Sequence, residues 1–137
     1  MSFIFSPGLQ AGVFARLRDD AAVAALTGGA VYDAPPPLAP EETEYVLLGE
    51  ETVRANDTKT SAGALHDFTV TVVSGRDGFD GAKRVAAAVC AALVDAPLAL
   101  EAGRLVALRF LRAGAERGAA PARRKVTLRF RAVVDQD

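Results

Sequence analysis

A chain of 137 residues has the length of one ordinary domain, and 50% hydrophobic against 24% charged residues excludes a largely disordered one. Sixteen basic and seventeen acidic residues give a net charge of −1, so there is no general basic surplus of the kind duplex DNA attracts. The single cysteine, Cys90, excludes an internal disulfide and fits a reducing compartment. No apolar run approaches the roughly 20 residues of a membrane helix, and the opening MSFIFSPG lacks the basic and apolar regions of a signal peptide.

Residues 8 to 19 predict an amphipathic helix, with Leu9, Val13 and Leu17 spaced by four and Phe14 widening the stripe. Ser6 is the expected cap, with Pro7 at the first helical position. A second short helix is expected from Asp20, its cap, to Leu26, and Gly28-Gly29 stops it. Val31 and Tyr32 begin a short strand. Pro35, Pro36 and Pro37 then forbid helix and central strand alike, so an extended connector near polyproline II is expected.

Residues 45 to 53 read as a strand with a possible bulge at Gly49. The polar stretch 54 to 64 is too long for a tight hairpin and is expected to form a long loop. Residues 65 to 74 alternate cleanly, with His66, Phe68, Val70 and Val72 on one side. GRDG at 75 to 78 is turn chemistry, and Asp77 is the expected cap of the main helix, 79 to 95, which Pro97 ends. Ala82, Val85, Ala86, Val89 and Leu93 form the stripe of that helix. Residues 104 to 111 and 124 to 134 are the last strands, carrying the repeated tripeptide LRF, with a long Gly/Ala/Arg loop between them. In the second, Val126, Leu128, Phe130, Ala132 and Val134 face the core while Thr127, Arg129 and Arg131 face out.

This order predicts an α+β domain. A mainly antiparallel sheet of four to five strands carries two principal helices packed on one face. The opposite face, rich in Thr and Arg, is either exposed or covered by another subunit.

Catalytic chemistry finds no support in the sequence. A nucleophilic device needs the only histidine, His66, beside Ser or Cys, and Cys90 falls beside a helix stripe where thiols are inert. No Cys/His cluster suggests a transition metal. SGRDGFDG lacks the lysine and hydroxyl of a phosphate-binding loop. Glu50 and Glu51 are adjacent on a strand, so they point apart and form no acid–base pair. With Trp absent and aromatic residues at 7%, no basic-aromatic platform for nucleic acid appears. No cofactor is therefore expected. Acidic residues concentrate early in the chain (Glu41, Glu42, Glu44, Glu50 and Glu51) and arginines late. Such polarity suits head-to-tail contacts between copies or, more simply, two solvated faces.

Several strings, in order, carry a resemblance over nearly the whole chain: AVYDAPPP at 30 to 37, YVLLGEET at 45 to 52, DTKT at 57 to 60, HDFTVTVVS at 66 to 74, AKRVAAAVCAALVDAPL at 82 to 98 and KVTLRFRA at 125 to 132. Together they resemble the small tail-completion, or tail-terminator, proteins of long-tailed phages and gene transfer agents. The resemblance implies a ring, usually a hexamer, that caps the tail tube and stops its growth. The ring presents a surface to neck proteins and lets DNA pass through its lumen, with no catalysis or cofactor. It further implies assembly in the bacterial cytoplasm and a final place at the head–tail junction of the particle. Arg54, Asp57, Lys59 and Thr60 are expected in one contact loop. Arg117, Arg123 and Arg124 are expected in another, toward a neighbour or the lumen, with Arg129 and Arg131 on the exposed sheet face. Competing readings are another head–tail connector component, such as a stopper or adaptor, and a small nucleic-acid-binding module using the late arginines.

Overall fold

The computed structural model describes residues 3–34, 44–76, 78–117 and 123–136. Three helices, α1 (Ser6–Asp19), α2 (Ala21–Thr27) and α3 (Asp80–Leu93), accompany five strands: β1 (Val31–Tyr32), β2 (Glu44–Ala55), β3 (Gly63–Ser74), β4 (Arg104–Arg117) and β5 (Arg124–Asp135). The strands form one sheet in the order β1-β2-β3-β5-β4. Every pairing is antiparallel except β1 with β2. Because β5 runs against both neighbours, β3 and β4 are parallel to each other, and α3 makes the crossover between them. The fold is thus α+β, with the predicted mainly antiparallel sheet and a third, seven-residue helix beside the two principal ones.

Local chemistry sets the helix ends. Asp20 caps α2 by accepting from the Val23 amide at 3.0 Å, and Gly28 takes the left-handed conformation that stops it. Ser6 does not cap α1. It is the first helical residue, and its hydroxyl donates to Glu51 instead, so the side chain is spent on tying the helix to the sheet. Asp77, the expected cap of α3, and the proline segment 35–37, with Glu41 and Glu42, lie outside the described residues. Phe79 stands at the α3 N-cap without a side-chain bond. The helix ends at Leu93, short of the expected 95, because Val94 is extended and Asp95 is left-handed, its amide donating to the Leu108 carbonyl at 3.0 Å.

Two expected loops are shorter than the sequence predicts. β2 and β3 pair out to Ala55 and Ala64, leaving only residues 56–62 as the connection. That connection is knotted by its own side chains: Asp57 accepts from the Gly63 amide at 3.1 Å, and Thr58 accepts from the Ser61 amide at 3.0 Å. Residues 112–117, expected in a loop, continue β4, pairing as far as Arg117 with Arg124. Their small side chains have poor strand propensity, but the full-length β5 offers a ladder that overrides it.

Bulges decide which side chains face inward. In β2 the register shifts between Leu48 and Glu51, near the expected Gly49, so two residues oppose one. Strict alternation from Val46 and Leu48 points Glu50 inward; the extra residue sends Glu51 in and leaves Glu50 exposed. β4 shifts twice, around Val106 and Leu111. The repeated LRF tripeptides sit on one hairpin, with Phe110 opposite Phe130 and Arg109 opposite Arg131.

The core lies between the helices and one sheet face. Leu9, Val13, Leu17, Val85, Val89 and Leu93 meet Val46, Val70, Val72, Leu108, Leu128 and Phe130, all buried. Phe130 stacks on Phe68 at 5.6 Å and meets the edge of Phe110 at 6.0 Å. The inward set expected of β3 and β5 is observed in full.

Candidate functional site

Among the described residues two acidic side chains are turned into the protein, and both are engaged. Glu51 accepts from the Ser6 hydroxyl and meets His66 Nδ1 at 2.8 Å. An ionised carboxylate only accepts, so Nδ1 carries the proton. His66 is wholly buried, and its Nε2 has no partner among the described residues. Burial pushes the Glu51 carboxyl up, but the bonds from His66 and Ser6 and the His66 charge outweigh it, so its pKa is lowered. The three residue types of a nucleophilic triad are present but wired differently. Hydroxyl and imidazole both bond the carboxylate, not each other, so nothing activates the hydroxyl.

Glu44 accepts from Ser74 Oγ at 2.7 Å and from Arg76 Nε at 2.8 Å. It also lies against the first turn of α3, so close to Gly81 that a Cβ there would come within 2.7 Å of its Oε2. The chain's own carboxylate thus stands beside the positive end of the helix. Cys90 is half-buried, and burial raises its pKa, away from a reactive thiolate. Among the described residues no cluster of His, Cys, Asp or Glu could hold a metal ion, and no helix is long and apolar enough to cross a membrane. A hollow of about 730 Å³ between α1 and β1 is lined by Pro7, Ala11, Phe14, Tyr32 and Asp33 among others.

The polar capacity lies outside. On the sheet face away from the helices, Asp67 holds Arg131 by two bonds of 2.7 and 2.9 Å, which lowers its pKa. The charges of Arg54 and Arg129 act on the same carboxylate. Arg54, expected in the contact loop, therefore shares one face with Arg129 and Arg131, both expected there together. Asp57, Lys59 and Thr60 do share a loop, although Asp57 is spent on holding its shape, and Arg54 belongs to β2.

Arg117 and Arg124 pair at the opposite end of the sheet, beside Ser74, with Arg123 just before β5. Eleven strand steps, or roughly 36 Å, separate them from the 56–62 loop. Arg124 packs over the Phe79 ring, 5.5 Å from its centre, on the helix side. The sequence reading missed Arg109 and Arg112 as site residues. Their strand alternates in register only once the two β4 bulges are counted.

One feature of the outline stands apart. Residues 109–117 of β4 are exposed without a break, pair among the described residues only with β5, and include Phe110 and Leu111 at 45% and 38% exposure. A long unpaired edge with apolar side chains is a template for another chain.

The model of one protein family, Tail completion protein gp17, matches residues 11–135. The chain belongs to this family. A solved structure, "Virion of native gene transfer agent (GTA) particle", contains a similar chain at 50% identity and a TM-score of 0.90, over 98% of this chain and 99% of that one. A comparison with curated proteins returned no match. The family's tail completion proteins are structural tail proteins, which accords with the closed carboxylate networks and the outward placement of the arginines.

Proposed function

We propose that this tail completion protein closes into a ring, a hexamer, that caps the tail tube, ends its polymerisation and joins tail to head. The observation that carries the reading is the free edge of β4, exposed along residues 109–117 with Phe110 and Leu111 upon it. An edge strand docking on a different surface of the next copy is a heterologous contact, which closes a ring when its rotation permits. The chain's late arginines and early acids orient such a contact. Its two ends differ. The 56–62 loop, with Lys59 and Thr60, stands at one end, and Arg117, Arg123 and Arg124 at the other. That suits one rim for the tube protein and one for neck proteins.

In this reading the protein has no catalytic activity and no cofactor. DNA passes through the lumen without sequence-specific binding, and no membrane is involved. The protein assembles in the bacterial cytoplasm and remains at the head–tail junction of the particle. The test is electron microscopy of particles made without it. Overlong tails lacking heads are expected. Tails of normal length joined to heads overturn the reading, and headless tails of normal length point to a stopper or adaptor instead.

A further inference from the structure

We infer that the outer face of the β3-β5-β4 half of the sheet is a docking surface for the phosphate backbone of duplex DNA. The placement of this face toward a lumen rests on the ring reading; the ligand assignment does not. The register sets Arg109 directly opposite Arg131 and Arg112 directly opposite Arg129, two like-charged cross-strand pairs in adjacent rows. Like charges directly opposite destabilise a sheet, so the arrangement is unfavourable in the free chain. Only part of it is relieved internally. Asp67 neutralises Arg131, whereas Arg109, Arg112 and Arg129 make no ion pair among the described residues. Arg54 adds a fourth charge across β3. Four arginines on one face without a salt bridge among the described residues, in a chain with net charge −1, call for a polyanion.

The geometry favours phosphate over base contacts. The two arginine rows lie two strand residues apart, roughly 6.7 Å. That is close to two 3.4 Å rises along one strand of duplex DNA. Between Arg112 and Arg129 a shallow groove of about 240 Å³ is floored by Gly114 and Thr127, with a hydroxyl at hand for a phosphate oxygen. Neither row carries an aromatic ring for stacking, which disfavours single strands. A broad sheet face cannot enter a groove, so the contact carries no sequence information.

The test titrates the full-length protein against a fluorescent random-sequence duplex over a range of salt. Four phosphate contacts predict a slope of log K against log salt of about −3.6, and the double variant Arg109→Gln, Arg112→Gln halves it to about −1.8. Sizing the same samples separates this inference from the ring. A monomer that binds DNA through these arginines supports it, while a ring that ignores DNA overturns it and leaves the ring standing. An unchanged slope in the double variant places the contact elsewhere and sinks the proposal. So does a variant that loses self-association while neither form binds DNA, because a second copy then covers the face.

Discussion

The two faces of the sheet are made by alternate residues of the same strands, yet they treat charge in opposite ways. Toward the helices, Glu44 and Glu51 are each held by two side chains, and among the described residues no inward carboxylate is left over. Away from them, Asp67 pairs directly with Arg131, and Arg109, Arg112 and Arg129 remain without ion-pair partners among the described residues. An inward charge must be compensated within the chain, because burial penalises it. An outward charge is free to wait for something else. The difference separates what holds the fold from what is available for assembly.

The largest expected effect is on the inner face. Phe130→Ala removes a fully buried ring stacked on Phe68 and lowers unfolding free energy by about 3–5 kcal/mol in a denaturant titration. Phe110→Ala, at the half-exposed edge opposite, costs about 1 kcal/mol or less. Both rings lie on the helix side of the sheet, so equal losses would erase the distinction between its buried centre and its exposed edge.

The next effect tests the bulge. Glu51→Gln disturbs the bond to buried His66 and costs about 1–3 kcal/mol. Glu50→Gln stays within about 0.5 kcal/mol. The reverse ranking would mean that strict alternation, not the bulge, describes β2.

Acid sharpens the same point. The pKa values of Glu51 and Asp67 are lowered in the folded protein from ordinary values of 4.5 and 3.8. Their contribution is therefore fully present above those values and is lost as pH falls through the folded ones. Stability measured from neutral pH downward holds, as far as these two groups decide it, to about pH 4.5, then falls. Glu51→Gln flattens that acid limb. A limb identical to the parent's would remove Glu51 from the account.

Regular periodicity made the core readable in advance. The inward residues of β3 and β5 and the stripes of α1 and α3 repeat at two or at three and four, and burial follows. Irregularities hid the rest. Gly49 marks the β2 bulge, but a residue type does not show which side chains the shift turns inward, and the β4 bulges carry no such mark, so the inward turn of Glu51 and the facing arginines of β4 and β5 were not legible. Residues 112–117 read as loop because they are small and polar, and only the neighbouring strand makes them extended. Ser6 read as a cap because its partner, Glu51, lies 45 residues away, beyond any local rule. The family could be read from ordered strings, but which of its residues share a surface depended on register.

The smallest expected effect has the most informative sign. Arg112→Thr, on the outer face opposite Arg129, removes one of two directly opposed positive charges and introduces a β-branched residue suited to a strand. The variant should gain a few tenths of a kcal/mol in thermal or denaturant unfolding, by about 0.2–0.5. At the same time it should weaken duplex binding and lower the salt slope by about 1. A surface arginine that merely keeps the protein soluble shows neither change. One that pairs with a second copy shows a concentration-dependent loss of stability instead. A gain in stability joined to a loss of DNA binding would mean that the outer face keeps its arginines at the expense of the sheet that carries them.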